Sequence, residues 1–174
     1  NSSAASDVYK RQMLAYALSL NTEVLLLDEP ANGLDIESKM ALLRMIAGKC
    51  DDEHTVLVAT HTISDMETLY DGLIVMQANH IRLTAMTEEI AERFVFARTL
   101  SKVEGSLYSE WRGGKMCSII PVETAEEYGL ESGPVDYAVL YGALHSPAAS
   151  EVVKYMTGPG RSDYTPFSNG VDYE

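Results

Sequence analysis

The stretch VLLLDEPANGLD, from Val24 to Asp35, decides what kind of sheet this chain builds. Its aliphatic start leads directly into two adjacent carboxylates, Asp28 and Glu29, and then into a proline and a glycine turn. The apolar run is too short for a helix, so it predicts a strand over residues 23–29 that is buried on both faces. Asp35 is predicted to cap the next helix. Apolar residues recur in that helix at helical spacing, at Ile36, Met40, Leu43 and Ala47.

Further strands and helices alternate through the first half of the chain. Residues 13–20 are apolar enough for a buried helix, and TVLVATH at 55–61 predicts a second buried strand. Ser64 to Glu67 has the form of a capping box that opens a short helix. Residues 73–83 predict a hairpin that turns near Ala78 and Asn79. This order predicts an open α/β sheet with its functional site at the carboxyl ends of the strands.

The second half has a different character. Residues 94–100 and 106–122 predict strands, and an Arg-Gly-Gly-Lys turn at 112–115 joins two of them. Three helices are expected, at 124–129 with a capping box from Thr124 to Glu127, at 135–144, and at 146–158. Ser146 is expected to cap the last helix, and Gly158-Pro159 to end it. A flexible tail is predicted for residues 158–174, where Gly, Ser, Pro and Asp dominate.

Length, charge and cysteine content limit the possible functions. A chain of 174 residues predicts one domain, or one domain with an extension. The net charge of −13 argues against nucleic acid as a main partner, because binding phosphates needs a basic surface. Two well-separated cysteines, Cys50 and Cys117, indicate thiols in a reducing compartment. The sequence also lacks an apolar run long enough to span a membrane.

An Asp-Glu pair at the end of a buried strand is suited to phosphoryl transfer. The strand would fix Asp28 beside a nucleotide, where its carboxylate can hold Mg²⁺. Glu29, the next residue, would point elsewhere and could polarise a water for attack on the γ-phosphate. By itself, the pair favours the simpler interpretation of two solvated acids at a strand end.

The surrounding residues resemble the ABC ATPases. LLLDEPANGLD resembles the joined Walker B motif and D-loop of that family, and VLVATH, which ends at His61, resembles its switch-histidine strand. Residues 63–90 resemble the segment that follows the histidine. The resemblance covers about residues 12–92. It implies a P-loop NTPase sheet for residues 13–92, followed by a small α+β extension at 93–157.

The resemblance also implies roles for four residues. Asp28 matches the aspartate that holds Mg²⁺, and Glu29 matches the catalytic base. His61 matches the histidine that contacts the γ-phosphate and holds the attacking water. Asp35 matches the D-loop aspartate between two facing ATPase subunits, a role compatible with helix capping. ATP and Mg²⁺ are therefore the expected cofactors, whereas His54, His80 and His145 match no motif and are expected at the surface.

Two family motifs have no counterpart in this sequence. It contains no Walker A loop of the form G-x-x-x-x-G-K-[ST], and ASDVYKRQ stands where a glycine-rich signature is expected. Val8 replaces glycine at a place where bare backbone N–H groups must reach a phosphate. We therefore expect residues 1–12 to be a non-native or unstructured lead. The rest would be the C-terminal part of an ATPase subunit, inactive without its upstream half.

The resemblance predicts the ATP-binding subunit of an ABC transporter, of the exporter type. Its expected partners are a transmembrane permease subunit and a second ATPase subunit, and its expected location is the cytoplasmic face of the cell membrane. One alternative is a translation-associated ABC ATPase, which the D-loop sequence and the acidic charge disfavour. Another is a non-enzymatic interaction module that keeps ATPase-like strands without turnover.

Overall fold

The structure, a computed structural model, describes residues 2–20, 22–51, 53–77 and 79–158. The chain divides into two compact units, with the division between Leu69 and Tyr70. This division lies well before residue 93, where the sequence predicted that the extension begins. The reason is found in the core of the second unit, which includes side chains from the hairpin at 72–86.

The first unit is built around two parallel strands. It contains α1 (Ser2–Ser19), β1 (Val24–Asp28), α2 (Ile36–Ala47) and β2 (Thr55–Ala59). β1 and β2 pair in parallel over their full length, from Val24 opposite Thr55 to Asp28 opposite Ala59. Parallel strands need a crossover connection, and α2 supplies it. The predicted α/β sheet is therefore confirmed, with both carboxyl ends at the same edge.

Burial in this sheet is lighter than predicted. Leu25 and Leu27 on β1 are buried, but Leu26 between them is 71% exposed, and no residue of β2 is buried. The prediction of strands buried on both faces was therefore wrong. The physical reason is that the described residues of the first unit form two strands and two α-helices, which is too few to cover both faces of the sheet.

The buried face of α2 is also not the predicted one. Asp35 caps this helix as expected, and its carboxylate accepts a hydrogen bond of 2.7 Å from the backbone N–H of Ser38. The buried residues, however, are Ser38, Leu42 and Ile46, four positions apart. Ile36 is 83% exposed. Helical spacing was thus identified correctly, whereas the direction of the apolar face was not.

The helix α1 is longer and more exposed than the sequence suggested. It spans Ser2–Ser19, so it includes most of the segment that we expected to be unstructured. The predicted buried helix at residues 13–20 forms the end of α1, yet Leu18 is its only buried residue among those eight. Within the described residues, α1 contacts α2.

Two short 3₁₀ turns follow β2. They span Ile63–Asp65 and Glu67–Leu69, where the sequence predicted one helix opened by a capping box. The N-cap of the first turn is Thr62, and its side chain makes no capping hydrogen bond. The predicted box at Ser64 to Glu67 is therefore absent from this described segment. Segments of three residues allow the 3₁₀ bonding pattern but not a stable α-helix.

The second unit begins with the predicted hairpin. β3 (Gly72–Gln77) pairs antiparallel with β4 (His80–Met86), and Asn79 adopts a left-handed φ of 60° in the turn. Asparagine tolerates this conformation better than most residues, as predicted. Ala78 lies outside the described residues. The helix α3 (Thr87–Arg93) follows directly.

A three-stranded antiparallel sheet forms the centre of the second unit. It contains β5 (Phe94–Thr99), β6 (Tyr108–Arg112) and β7 (Lys115–Pro121), with β7 in the middle. The predicted turn at 112–115 joins β6 to β7, and Gly113 and Gly114 have φ values of 58° and 76°. These positive values favour glycine, so the sequence located this hairpin correctly.

Three helices cover the sheet: α4 (Val122–Glu127), α5 (Tyr137–Leu144) and α6 (Ala149–Thr157). Asp136 caps α5, as its carboxylate accepts a hydrogen bond of 3.1 Å from the Val139 N–H. α4 starts before Thr124 and has no side-chain cap, so the predicted box from Thr124 to Glu127 was wrong. Ser146 lies before α6, which begins three residues later than predicted.

The main core of the second unit lies on one face of the sheet. It joins the β3–β4 hairpin, α3, α5 and α6 through fully buried side chains such as Ile90, Ile119 and Val152. A smaller cluster of Val95, Ile120 and Ala125 lies on the other face, below α4. The core of this unit thus includes side chains of the β3–β4 hairpin, which precedes residue 93.

Gly158 follows the end of α6, as predicted, and has a φ of 57°. The rest of the predicted tail, residues 159–174, lies outside the described residues. Within the described ranges, no helix combines the length and apolar character that crossing a bilayer requires.

Candidate functional site

The parallel pairing of β1 and β2 brings together the residues that follow each strand. Asp28 lies opposite Ala59, and the backbone N–H of Glu29 donates to the Ala59 carbonyl over 2.8 Å. The ladder therefore continues one residue beyond β1. As a result, Glu29 stands beside Thr60 and His61, which are 31 and 32 positions away in sequence.

The Glu29 carboxylate is held by His61 in two ways. Its Oε1 atom lies 2.6 Å from Nδ1 of the His61 ring, and it also accepts a hydrogen bond of 2.9 Å from the His61 backbone N–H. The backbone contact fixes the carboxylate relative to β2, and the ring contact fixes the imidazole. The sequence predicted these two residues as site partners, and the structure places them in direct contact.

Thr60 is a third partner, which the sequence analysis did not single out. Its hydroxyl donates to Oε2 of Glu29 over 3.2 Å, and it accepts a hydrogen bond of 3.0 Å from the Thr62 backbone N–H. The signal that could have identified it is its place directly before His61 at the end of β2. A hydroxyl at that position shares the sheet edge with the carboxylates.

Glu29 has an unusual backbone conformation. Its φ is 45°, one of two positive values at non-glycine residues within the described ranges. Pro30 follows, and a residue before proline is disfavoured in the right-handed α region. The Glu29 carbonyl accepts a hydrogen bond of 3.1 Å from the Asn32 N–H, which closes the turn. Such conformations occur more often at functional sites, where the surrounding structure holds them.

Hydrogen bonds to the ionised form set the acidity of Glu29. The His61 side chain has the largest effect and lowers the pKa of the Glu29 carboxyl below its ordinary value of 4.5. The His61 backbone N–H and the Thr60 hydroxyl act in the same direction, whereas burial acts against them. Glu29 is therefore a carboxylate at neutral pH, ready to accept a proton but of reduced basicity.

Asp28 is the neighbouring carboxylate and takes no part in this cluster of hydrogen bonds. It is the last residue of β1, and it is exposed. Glu29, by contrast, lies beyond the strand with a φ of 45°, and its carboxylate is bound by Thr60 and His61. The contacts described for Glu29 therefore do not include Asp28, which is exposed to solvent.

The turn between Glu29 and Asp35 is compact. Ala31 and Leu34 are buried within it, and Gly33 has a φ of 75°. Nζ of Lys10 donates to the Asn32 carbonyl over 3.1 Å, so α1 contacts this turn. The carboxylate of Asp35 caps α2. The structure therefore gives Asp35 the capping role, while its role toward a second subunit stays a prediction.

An ion pair braces the segment after His61. Nζ of Lys39 on α2 lies 2.8 Å from both carboxylate oxygens of Asp65. Both side chains are partly buried, at 31% and 19% exposure. The contact ties the first 3₁₀ turn to α2, and so limits how far the backbone beyond His61 can move. Neither residue was singled out from the sequence.

The cluster is accessible from solvent. The side chain of His61 is 71% exposed and that of Glu29 is 32% exposed. One ring nitrogen of His61 faces Glu29, so the other, Nε2, is available to a ligand. The remaining histidines lie elsewhere: His54 pairs with Asp51 over 2.6 Å, and His145 stacks on Tyr141.

Metal binding here would need help from a ligand. Within the described residues, no group of three or more histidine, cysteine or acidic side chains could hold a metal ion. In proteins, Mg²⁺ commonly takes one or two carboxylates and completes its shell with phosphates and water. Asp28, exposed at the strand end, can supply one such oxygen.

Comparison with curated proteins finds partial similarity to several ABC transporter and transport-system ATP-binding proteins. The chain is 34% identical over 80 residues to the manganese transport system ATP-binding protein MntA of Synechocystis, covering 46% of this chain and 30% of that protein. It is 30% identical over 117 residues to the energy-coupling factor transporter ATP-binding protein EcfA2 of Lactiplantibacillus plantarum, covering 59% and 39%. It is also 31% identical over 117 residues to ABC transporter I family member 21 of Arabidopsis thaliana, covering 67% and 42%.

These matches are partial. The chain spans less than half the length of each of these three relatives. No family model matches the sequence.

Proposed function

We propose that this chain, which belongs to the family of ABC transporter ATP-binding proteins, contributes to an ATP-binding subunit that couples ATP hydrolysis to transport across a membrane. Its relatives are ATP-binding proteins of transport systems, as their names state. The family membership supports the family's reaction, in which ATP and water give ADP and phosphate. The residues that we assign to that reaction are Asp28, Glu29 and His61.

One observation carries the proposal: the contact between Glu29 and His61 at the carboxyl edge of the parallel strands. Two side chains 32 residues apart meet at 2.6 Å, beside an exposed aspartate. In open α/β sheets, ligands bind at this edge. A structural ion pair would not need the second carboxylate, the left-handed backbone of Glu29 or the exposure of the His61 ring.

Each residue has a distinct proposed role. Glu29 accepts a proton from the attacking water, and its lowered pKa keeps it ionised at neutral pH. His61 orients that water and contacts the γ-phosphate through Nε2, which can donate when the ring is protonated. Asp28 contributes one oxygen to Mg²⁺, and the metal, when bound, neutralises charge on the phosphates.

The partners and the location follow from the same proposal. A transport ATPase acts on a transmembrane permease subunit and pairs with a second ATPase subunit, at the inner face of the cell membrane. Asp35, at the start of α2, would take part in the contact between the two ATPase subunits. The exporter subclass stays a prediction, as the names of the relatives above do not specify it.

This chain alone should not hydrolyse ATP. Its sequence has no Walker A loop, whose backbone N–H groups and lysine cradle the phosphates in P-loop proteins. Asp28 by itself offers Mg²⁺ too few ligands to replace that cradle. The proposal therefore concerns a subunit in which another stretch of protein supplies the phosphate-binding loop.

The test is ATP hydrolysis by a fusion protein. It joins the part of EcfA2 that precedes the matched segment to this chain, so that an established relative supplies what this sequence lacks. We expect Mg²⁺-dependent turnover that the Glu29→Gln change abolishes. A well-folded fusion that binds ATP but shows no turnover above the Glu29→Gln control would contradict the proposal.

A further inference from the structure

We propose that Thr60 is a positioning residue for Glu29, and that its hydroxyl orients the carboxylate so that one lone pair of Oε2 is left for the attacking water. The inference rests on the proposed function, since it assigns a role within the same site. It concerns a residue that the family resemblance did not assign, and the hydrogen bonds around it carry the argument.

The direction of the Thr60 hydroxyl follows from its partners. A hydroxyl has one proton to donate and accepts through its oxygen lone pairs. The backbone N–H of Thr62 donates to the Thr60 oxygen over 3.0 Å. The single proton is then directed to Oε2 of Glu29, 3.2 Å away. Thr60 therefore acts as a donor of fixed direction, held by the backbone of the next turn.

The hydrogen-bond donors described around Glu29 leave one lone-pair site of its carboxylate without a donor. An ionised carboxylate has about four lone-pair sites, two on each oxygen. Oε1 accepts from the backbone N–H of His61 and contacts the His61 ring, which occupies both of its sites. Oε2 accepts from Thr60. Among the contacts described in the structure, the second site of Oε2 is thus the one left to take a proton.

The side chain of Thr60 is suited to this task. A β-branched residue is stiff at χ1, so its hydroxyl holds its direction at little further entropy cost. Thr60 is also half-buried, whereas His61 is exposed. Thr60 therefore adds a second, partly buried donor at the end of β2, on the oxygen of Glu29 that His61 does not contact.

The same hydrogen bond has an electrostatic consequence that can be measured. Together with His61, Thr60 lowers the pKa of the Glu29 carboxyl. The hydrogen bond from Thr60 therefore lowers the basicity of Glu29 and at the same time fixes the orientation of its carboxylate. Removal of the hydroxyl should raise the pKa of Glu29 and also release the carboxylate to rotate about its terminal torsion, which is broad.

The first experiment needs neither ATP nor turnover. The full 174-residue chain is labelled with ¹³C, and the carboxyl resonance of Glu29 is followed by NMR. The pH is varied from about 2 to about 7, a range that extends on both sides of the ordinary pKa of a glutamate. Thr60→Val, which keeps the shape and removes the hydroxyl, should shift the midpoint upward. Thr60→Ser should leave it at the wild-type position.

Thr62→Val is the matched control. It makes the same change two residues away, at a side chain that donates none of the described hydrogen bonds to Glu29. It should leave the Glu29 midpoint unchanged. Thr60→Ala repeats the loss of the hydroxyl with a smaller side chain, so the test remains available if Thr60→Val fails to fold.

The second experiment uses the fusion protein described above. Thr60→Val should lower kcat for ATP hydrolysis about tenfold, a fraction of what a general base contributes, with KM for ATP unchanged. Thr60→Ser should restore the rate. A purely structural role would instead lower the melting temperature without moving the carboxyl midpoint.

The outcomes separate this inference from the proposed function. An unchanged kcat in both Thr60→Val and Thr60→Ala, or an equal loss of kcat in Thr60→Ser, would overturn the positioning role. A shifted midpoint with wild-type kcat would also overturn the positioning role. If Glu29→Gln itself left turnover intact, both the assignment of Glu29 as the base and the positioning role of Thr60 would be wrong. A shifted titration midpoint of Glu29 in Thr60→Val would then show only that the hydrogen bond exists.

Discussion

Replacement of Glu29 by Gln gives the most direct test of the site. The change preserves size, and the amide oxygen can still accept from the backbone N–H and the ring of His61, which both contact Oε1. On the other side, the amide NH₂ replaces Oε2 and meets the Thr60 hydroxyl, which is itself a donor. Two of the three described contacts can therefore survive, and the fold should be retained.

The expected loss is in chemistry. Because glutamine cannot accept the proton of the attacking water, the contribution of a general base disappears, which is about 10²–10⁴-fold in rate. Binding of ATP should persist, as Asp28 and the phosphate-binding loop are untouched. The variant also removes one negative charge that would face the γ-phosphate, so the ATP-bound dimer should become more stable.

The assay is steady-state hydrolysis by the fusion protein, with parallel measurements of nucleotide binding and of particle size. Asp28→Asn is the matched control, since it alters the adjacent carboxylate and should weaken binding of Mg²⁺-ATP as well as turnover. His61→Ala should slow turnover through lost positioning of the water. Turnover near the wild-type rate in Glu29→Gln would show that the two carboxylates have been given the wrong roles.

Four further predictions concern the chain by itself. The purified 174-residue chain should show no Mg²⁺-dependent ATP hydrolysis above a Glu29→Gln blank; a rate that exceeds this blank would contradict the need for a Walker A loop. Lys39→Met should lower the free energy of unfolding by about 1 kcal/mol in urea melts, because it breaks a partly buried ion pair with Asp65; Lys49→Met is the control, and equal losses in both would refute the assignment. Tyr155→Phe should reduce the decrease in the free energy of unfolding that the wild type shows at high pH. Burial and the hydrogen bond to Glu123 raise the pKa of Tyr155 from 10.0 to about 12, so its contribution is complete below pH 10 and is lost as the pH rises toward 12; parallel alkaline melts of both proteins would argue against it. Amide exchange across residues 107–144 should be slow on β7 and α5, whose side chains are largely buried, and uniformly fast exchange would exclude a packed second unit.

The pH dependence of the Glu29 site has the opposite sign to that of Tyr155. The folded chain lowers the pKa of Glu29, so this residue adds stability above its ordinary pKa of 4.5 and loses it as the pH falls through the lower folded value. Acid should therefore release the carboxylate from His61 and Thr60. Melts of the wild type and of Glu29→Gln should converge as the pH is lowered below 4.5.

The sequence alone determined the local features that depend on neighbouring residues. The strand at Val24–Asp28, the N-cap at Asp35, the turn at Asn79 and the glycine turn at 113–114 all follow from short-range geometry. A carboxylate before a helix finds the N–H of the third residue without help from the rest of the chain. Likewise, a glycine pair can adopt the positive φ values of a tight turn without the steric cost that other residues would have.

The identity of the site could also be anticipated in part. Glu29 and His61 each follow an aliphatic run, and parallel strands place their carboxyl ends together. Their mutual contact was therefore accessible from the sequence once the two strands were paired. Thr60, Lys39 and Asp65 were not, because nothing in their local sequence distinguishes a hydroxyl or an ion pair at the site from one in solvent.

Only the tertiary structure decided burial and the limits of the two units. Spacing predicted a helix at Ile36–Ala47, but which side is buried depends on what packs there, and this is Ser38, Leu42 and Ile46. The apolar run of β1 suggested burial on both faces, yet Leu26 is 71% exposed, because the elements described in the first unit leave that face of the sheet uncovered. The hairpin at 72–86 likewise joins the second core through Val75, Leu83 and Ala85. Local patterns record what a segment can form, whereas burial is a property of contacts between segments that are distant in sequence.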